Sequence, residues 1–203
     1  MSKKPLIVFE GIEGSGKSHH INNVANYLTK IKKKFIKIRE PGGNKNSEKI
    51  RNLILNNKST FNKNTDLLLY LSARSENIDL IKRNYGKKII LIDRFVDSTL
   101  AYQHYGMGVN IDFIKNINDF LLKGITIDFT FLNLVTLKNM KTRLLKRKKL
   151  NRYDQFSSGF YKKVQNGFIK ILKKNPKNYM KIDSNMNIND NQNIILNKIN
   201  ELI

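Results

Sequence analysis

Short apolar runs alternate along the chain with stretches in which apolar residues recur every three or four positions. Pro5-Leu6-Ile7-Val8-Phe9-Glu10, Phe35 to Ile38, Ile89 to Ile92, Phe129 to Leu134 and a weaker Tyr179 to Ile182 read as strands. The helical period predicts a helix carrying Ile21, Val24, Ala25, Leu28 and Ile31, and further helices at Ser47 to Asn56, Thr65 to Arg83, Ile111 to Leu122, Thr136 to Lys146, Ser157 to Lys174 and Asn191 to Leu202. Strands separated by helices pair in parallel through right-handed crossovers, which makes this an α/β chain. Ligands of such sheets gather beyond the carboxyl ends of the strands, so Glu10 to Ser18, Arg39 to Gly43, Asp93 to Gln103 and the segment after Leu134 are expected to converge on one cleft.

The first of these segments carries the most specific chemistry. Gly11-Ile12-Glu13-Gly14-Ser15-Gly16-Lys17-Ser18 fits G-x-x-x-x-G-K-[ST] directly between a strand and a helix. Glycines at these places let backbone N–H groups turn inward around phosphate oxygens, Lys17 can reach the β- and γ-phosphates, and the Ser18 hydroxyl can ligate Mg²⁺. The helix that follows points its positive dipole end at the anion. Gly11 through Ser18 are therefore expected to bind ATP or a similar nucleoside triphosphate, with Mg²⁺ carried in by the nucleotide.

Charge adds less than its size suggests. The 203 residues carry 38 Lys and Arg against 16 Asp and Glu, a net charge of +22, which invites a nucleic-acid reading. The excess is mostly lysine scattered over the whole chain together with abundant Asn and Ile, the mixture expected of a strongly AT-rich genome, so no specific nucleic-acid partner is expected. There is no cysteine, which removes disulfides and thiolate chemistry, and His19, His20 and His104 lack metal-site spacing. No apolar run approaches the roughly 20 residues of a membrane span, and no long linker divides the chain. One cytoplasmic domain over residues 1–203 is the expectation.

A second constellation lies at the tip of the Ile89 to Ile92 run. Asp93 is placed to orient Mg²⁺ or its waters, and Arg94 suits a bidentate grip on phosphate. Arg39 and Arg74 come from other segments expected to face the cleft. Each could also be a solvated or paired surface charge. Arginines beyond the triphosphate loop imply a second phosphorylated ligand, and a monophosphate acceptor is already anionic at neutral pH, so it needs no general base. A third basic stretch, from Arg143 through Lys146, Arg147, Lys148 and Lys149 to Arg152, can fold over the triphosphate as a lid spanning about residues 143–156. A solvated helix end, with cations near its C-terminal dipole, accounts for the same residues.

With these residues in view, the chain resembles a bacterial-type thymidylate kinase from Leu6 to about Asp183. Beside the phosphate loop, Arg39-Glu40-Pro41-Gly42-Gly43, Leu69-Tyr70-Leu71-Ser72-Ala73-Arg74 and the run from Asp93-Arg94-Phe95 to Ala101-Tyr102-Gln103 carry the likeness. The resemblance implies a P-loop NTPase fold with a five-stranded parallel sheet flanked by helices on both faces, ATP-dependent phosphorylation of dTMP to dTDP, and a homodimer. Carried over by position, Tyr70 stands for the aromatic that stacks on thymine. Arg74 and Arg94 stand for residues holding the base edge and acceptor phosphate, and Ser98 and Thr99 for pyrimidine contacts. Tyr102 stands for the tyrosine against the sugar, and Glu13 for the acid attending the sugar hydroxyl or the metal. Arg39 and Gln103 complete the expected dTMP contacts.

Gly14 falls where some relatives carry a catalytic arginine, so the chain resembles the subgroup that supplies this charge from the lid. Arg147 and Arg152 are the candidates, beside Lys17 and Arg94. Asn151-Arg152-Tyr153-Asp154 departs from the frequent Asp-Arg-x-Glu pattern, which leaves the acting arginine open. Rival readings are a kinase for another nucleoside monophosphate or a deoxynucleoside, and a nucleic-acid-dependent ATPase.

Overall fold

Alternation along the first strand, β1 (Leu6–Gly11), decides how the layers stack. Ile7 and Phe9 pack on one side with Ile21, Val24 and Leu28 and with Ile195 and Ile199, whereas Leu6 and Val8 pack on the other with Ile78 and Ile81. Both faces of the strand are thus covered by helices, which is why it reads as a continuous apolar run. In this computed structural model, which describes residues 3–203, β1 joins β2 (Phe35–Arg39), β3 (Ile89–Asp93), β4 (Phe129–Leu134) and β5 (Tyr179–Asp183). All four pairings are parallel and the order is β2-β3-β1-β4-β5, the five-stranded sheet implied by the resemblance. The register sets Asp93 level with Phe9 on one side and Arg39 on the other, and Gly11 level with Asn133. The strand ends with chemistry on them therefore meet at one edge.

The helices are α1 (Lys17–Lys30), α2 (Lys45–Leu55), α3 (Lys63–Asn84), α4 (Val96–Thr99), α5 (Ile111–Leu121), α6 (Leu137–Leu145), α7 (Ser158–Lys174) and α8 (Ile188–Leu202). Three of them start earlier than the periodicity predicts: at Lys45, Lys63 and Ile188 rather than Ser47, Thr65 and Asn191. Each early start is capped by an asparagine, Asn44, Asn62 or Asn187, whose side chain accepts first-turn N–H groups. Some of the asparagine in this chain is therefore structural punctuation.

The larger difference follows β3. The segment expected at the cleft, to which periodicity assigns no helix, is helical: one turn of α4, then a π-helix over Leu100–Gly106. Its inward residues include Asp97, Thr99 and Gln103, all buried, so its core-facing side does not register as an apolar stripe. α7 lies against the π-helix at glycines. A Cβ on Gly167 would stand 2.6 Å from Tyr105 Cδ2 and 2.8 Å from its Cβ and Cγ.

This contact yields a test with opposed terms. Alanine in place of a mid-helix glycine stabilises by about 1 kcal/mol, but overpacking costs about 1–3 kcal/mol, and the crowded atoms lie at the root of the Tyr105 ring, which cannot swing aside. Gly167→Ala is expected to destabilise by on the order of 1 kcal/mol in urea unfolding; an unchanged or raised midpoint would show that the two segments part freely.

Candidate functional site

The phosphate loop is shaped by left-handed backbone at three glycines, with φ of +143° at Gly11, +67° at Gly14 and +82° at Gly16. At Gly11 any side chain is also excluded by space, since a Cβ would lie 2.4 Å from the Asn133 carbonyl oxygen. Gly16 caps α1 with no side-chain hydrogen bond and no acid stands in the first turn, which leaves the positive helix end uncompensated. Lys17 lies back along the loop, donating to the Ile12 carbonyl at 3.2 Å. Burial, with Arg94 adding repulsion, lowers its ammonium pKa to about 8. The pocket is built for an anion and strained electrostatically without one.

Ser18 and Asp93 stand together beside the loop. The Ser18 hydroxyl donates to Asp93 Oδ2 at 2.6 Å, and Asp93 Oδ1 is buried with no hydrogen-bond partner. An orphaned anionic oxygen next to a hydroxyl is a donor set for a hard, oxygen-seeking cation. Among the described residues no three His, Cys, Asp or Glu side chains gather as a metal cage. Mg²⁺ fits such a site, because it keeps waters and takes phosphate oxygens rather than a full protein shell.

Arg94 joins β3 to everything around it. Its backbone is left-handed, φ +67°, a conformation costing a non-glycine residue on the order of 1 kcal/mol. It is held there by its N–H to the Phe9 carbonyl at 3.0 Å, by Nη1 to the Gly11 carbonyl at 2.9 Å, and by Nη2 to Glu13 Oε1 at 2.7 Å. The Tyr102 hydroxyl donates to Glu13 Oε2, and the Arg94 guanidinium lies 5.1 Å from the Tyr102 ring centre. Burial works against the Glu13 charge, but Arg94, Lys17 and Tyr102 together outweigh it and hold the carboxyl below its ordinary range. Glu10 behaves oppositely: burial, reinforced by Asp97, pushes it up to about 7 while it accepts Phe95 and Ser98 N–H groups and the Ser98 hydroxyl.

One cleft is lined by Glu13, Lys17, Ser18, Arg39, Tyr70, Asp93, Arg94, Ser98, Tyr102, Gln103 and Arg147. The structure thus brings together most of the residues singled out in the sequence. Arg39 reaches it while paired to Glu48 at 2.7 Å, and Arg147 while donating to Asp154 at 2.6 Å. Three residues are placed otherwise. Arg74 is buried, 2 % exposed, and spends Nε on Glu40, Nη1 on Asn118 and Nη2 on Thr99, which turns Thr99 inward with it. Arg152 is paired with Asp66 and borders a separate depression with Phe61 and Phe156 rather than the cleft that holds Lys17 and Ser18. The physical reason is the same for both arginines: an acid from a distant segment, Glu40 in the loop after β2 or Asp66 in the first turn of α3, competes for the guanidinium.

Arg51, Glu40 and Tyr153 are among the cleft residues that were not singled out. Arg51 lines the cleft and donates to the Pro41 carbonyl at 2.7 Å. Its signal was its spacing, because Ser47, Arg51 and Ile54 follow one another by four and three and so share one face of α2, whose Ser47 and Ile54 are fully buried. Glu40 lies inside it, the acid of the Arg39-Glu40-Pro41 motif. Tyr153 meets Tyr70 edge-on at 5.7 Å between ring centres, forming an aromatic corner that no local pattern foretells.

The family model described as thymidylate kinase matches residues 9–195. The thymidylate kinase of Clostridium novyi is 37% identical over 191 residues, covering 91% of this chain and 93% of that one. That of Kosmotoga olearia is 34% identical over 185 residues, covering 90% and 89%. The crystal structure of thymidylate kinase from Ehrlichia chaffeensis superposes with a TM-score of 0.79 at 31% identity, covering 98% of this chain and 99% of that one. By sequence, by fold and by the phosphate-binding architecture of its cleft, this chain belongs to the thymidylate kinase family.

Proposed function

We propose that the chain transfers the γ-phosphoryl group of ATP to dTMP, giving ADP and dTDP for dTTP synthesis, and that it acts as one kinase domain with residues 143–156 as its lid. The observation that carries this is the sharing of one cleft by the phosphate loop, Arg94 and the Tyr70 aromatic wall, which lets a triphosphate and a phosphorylated aromatic base meet. A phosphate oxygen of dTMP is anionic at neutral pH and attacks the γ-phosphorus in line as the bond to the β-phosphate oxygen breaks. Charge balances without proton transfer, so positioning and neutralisation can supply the catalysis.

The residues divide that work. Gly11 to Ser18 cradle the ATP phosphates, with Lys17 against the β- and γ-oxygens. Arg94, with Arg39 and Arg51 beside it, holds the acceptor phosphate, and Glu13 keeps the Arg94 guanidinium aimed into the cleft. Tyr70 offers its ring to the thymine, Gln103 and Ser98 border it, and Tyr102 with Glu13 closes the sugar side. Ser18 and Asp93 would hold Mg²⁺, which would supply neutralisation of phosphate charge when bound. Arg147 is the lid arginine that reaches the cleft; Arg152 and Arg74 serve through their buried partners. A homodimer in the cytoplasm belongs to the same reading. Exposed Leu68, Phe113 and Phe120 on α3 and α5 offer apolar surface for a second copy, and mass in solution tests it.

The substrate claim is tested by ADP formation from ATP and Mg²⁺ with dTMP, dUMP, dCMP, dGMP, AMP, buffer alone or single-stranded DNA. Strong dependence on dTMP with weak response to the others is expected. Release that ignores monophosphates and rises with DNA would overturn the proposal. Arg94→Ala should lower turnover by on the order of 10³-fold, and near-wild-type kcat and KM would remove it from the phosphate clamp.

Lys17 gives a pH test whose sign is fixed. Its free-state pKa near 8 means that the ammonium loses its proton above that pH, whereas bound phosphate holds the proton on. ATP affinity should therefore be level below pH 8 and weaken above it, by at most about tenfold per unit, with proton uptake visible in calorimetry in buffers of different ionisation enthalpy. Affinity unchanged from pH 7 to 10 would contradict it.

A further inference from the structure

Asp66 has no part in the chemistry above, yet it is a carboxylate 1 % exposed in the first turn of α3. A first-turn acid suits the helix dipole at the surface; burying it is costly unless it is fully paired. Here three donors from two other segments converge on it. Arg152 Nη2 pairs with Oδ1, the Tyr153 hydroxyl donates to Oδ2, and Gln103 Nε2 approaches Oδ2 at 3.3 Å. Gln103 comes from the π-helix, while Arg152 and Tyr153 belong to a 3₁₀ turn, Arg152–Gln155, within the lid.

The same turn grips the lid arginine. Asp154 accepts Arg147 Nη1 at 2.6 Å through Oδ1, while its Oδ2 closes the turn by accepting the Asn151 N–H at 3.0 Å. The turn is fastened further by Arg152 Nε to the Ile54 carbonyl at 2.9 Å and by the Tyr161 hydroxyl to the Tyr153 carbonyl at 2.5 Å. Arg147 itself is long and 41% exposed, so without Asp154 its guanidinium would sample many positions. We propose that Asp66 is a positioning residue that latches this turn to α3 and, through Asp154, fixes Arg147 over the cleft. Arg152 is then part of the latch and not a phosphate ligand. The base side of the cleft, where Gln103 and Tyr153 stand, and the lid charge are set by one buried carboxylate.

This rests on Arg147 as the lid charge, and a kcat cycle separates the two claims. Arg147→Ala alone tests the reading, with a loss of about 100-fold or more expected; wild-type kcat in that single variant overturns the role of Arg147 and the latch with it. Asp66→Asn is expected to lower kcat per titrated active site by about 10- to 100-fold, as misplacement of a charge does. The double variant should then match Arg147→Ala within about twofold, because the latch has nothing left to place. Losses that multiply, or a lower Tm with kcat intact, make Asp66 merely structural and overturn the proposal. If Asp66→Asn does not fold, Tyr153→Phe, which deletes one hydroxyl from the latch, takes its place in the same cycle with a smaller loss and the same requirement of non-additivity.

Discussion

A guanidinium largely withdrawn from water has to be paired, and around Arg94 this requirement organises the centre of the molecule. The Arg94–Glu13 pair joins the tip of β3 to the loop after β1, and the Tyr102 hydroxyl ties the π-helix to the same carboxylate. Removing either charge would leave the other buried and unpaired, which costs about 3–5 kcal/mol, far more than the pair contributes net. The strained left-handed backbone at Arg94 persists because its bonds to Phe9 and Gly11 in β1 and to Glu13 in the phosphate loop over-determine it. The loop therefore holds its shape before any nucleotide arrives.

Most of the architecture could be read from periodicity, and the places where it could not have a common cause. All five strands lie within a residue or so of the expected runs. Strands β1, β3 and β4 are covered on both faces and mostly apolar, and the edge strands β2 and β5, though each carries an exposed lysine, keep enough apolar positions to read as strands. The helix at Leu100–Gly106 escaped notice because its inward side carries Gln103 beside Ala101 and Tyr102, and a polar residue facing a site looks like a loop residue in a linear string. The early starts at Lys45, Lys63 and Ile188 escaped it because asparagine caps are invisible to an apolar count.

The site divides in the same way. Gly11 to Ser18 and Asp93-Arg94 are contiguous, so local geometry puts their groups together and the sequence is enough to find them. Arg74, Arg152 and Arg51 depend on partners far along the chain. Arg74 lies 34 residues from the Glu40 it pairs with, and Arg152 lies 86 from Asp66. Whether an arginine meets a ligand or a buried acid is decided by which distant segments the fold packs together, information that no window of neighbouring residues contains. Arg51 shows that part of this could be recovered, since Ser47 and Ile54 share its face of α2.

The electrostatics of the cleft explain how a basic protein can be specific without using most of its charge. Lys17, Arg39, Arg51, Arg94 and Arg147 line one cavity with Glu13, Glu40 and Asp93, and burial, with Arg94 adding repulsion, lowers the Lys17 pKa. Enclosed like charges interact far more strongly than the lysines scattered over the surface, which water and salt screen within about 8–10 Å. An anion entering the cleft removes that repulsion and gains the attraction of every cation at once, while a polymer on the outer surface meets only screened charges. A preorganised cluster of this kind stabilises the charge that spreads over a transferring phosphoryl group, because its dipoles and cations are already in place when the charge develops. Of the surplus of +22, the part that bears on the cleft is the handful of cations that the fold gathers there and holds in place through carboxylate partners such as Glu13, Glu48 and Asp154.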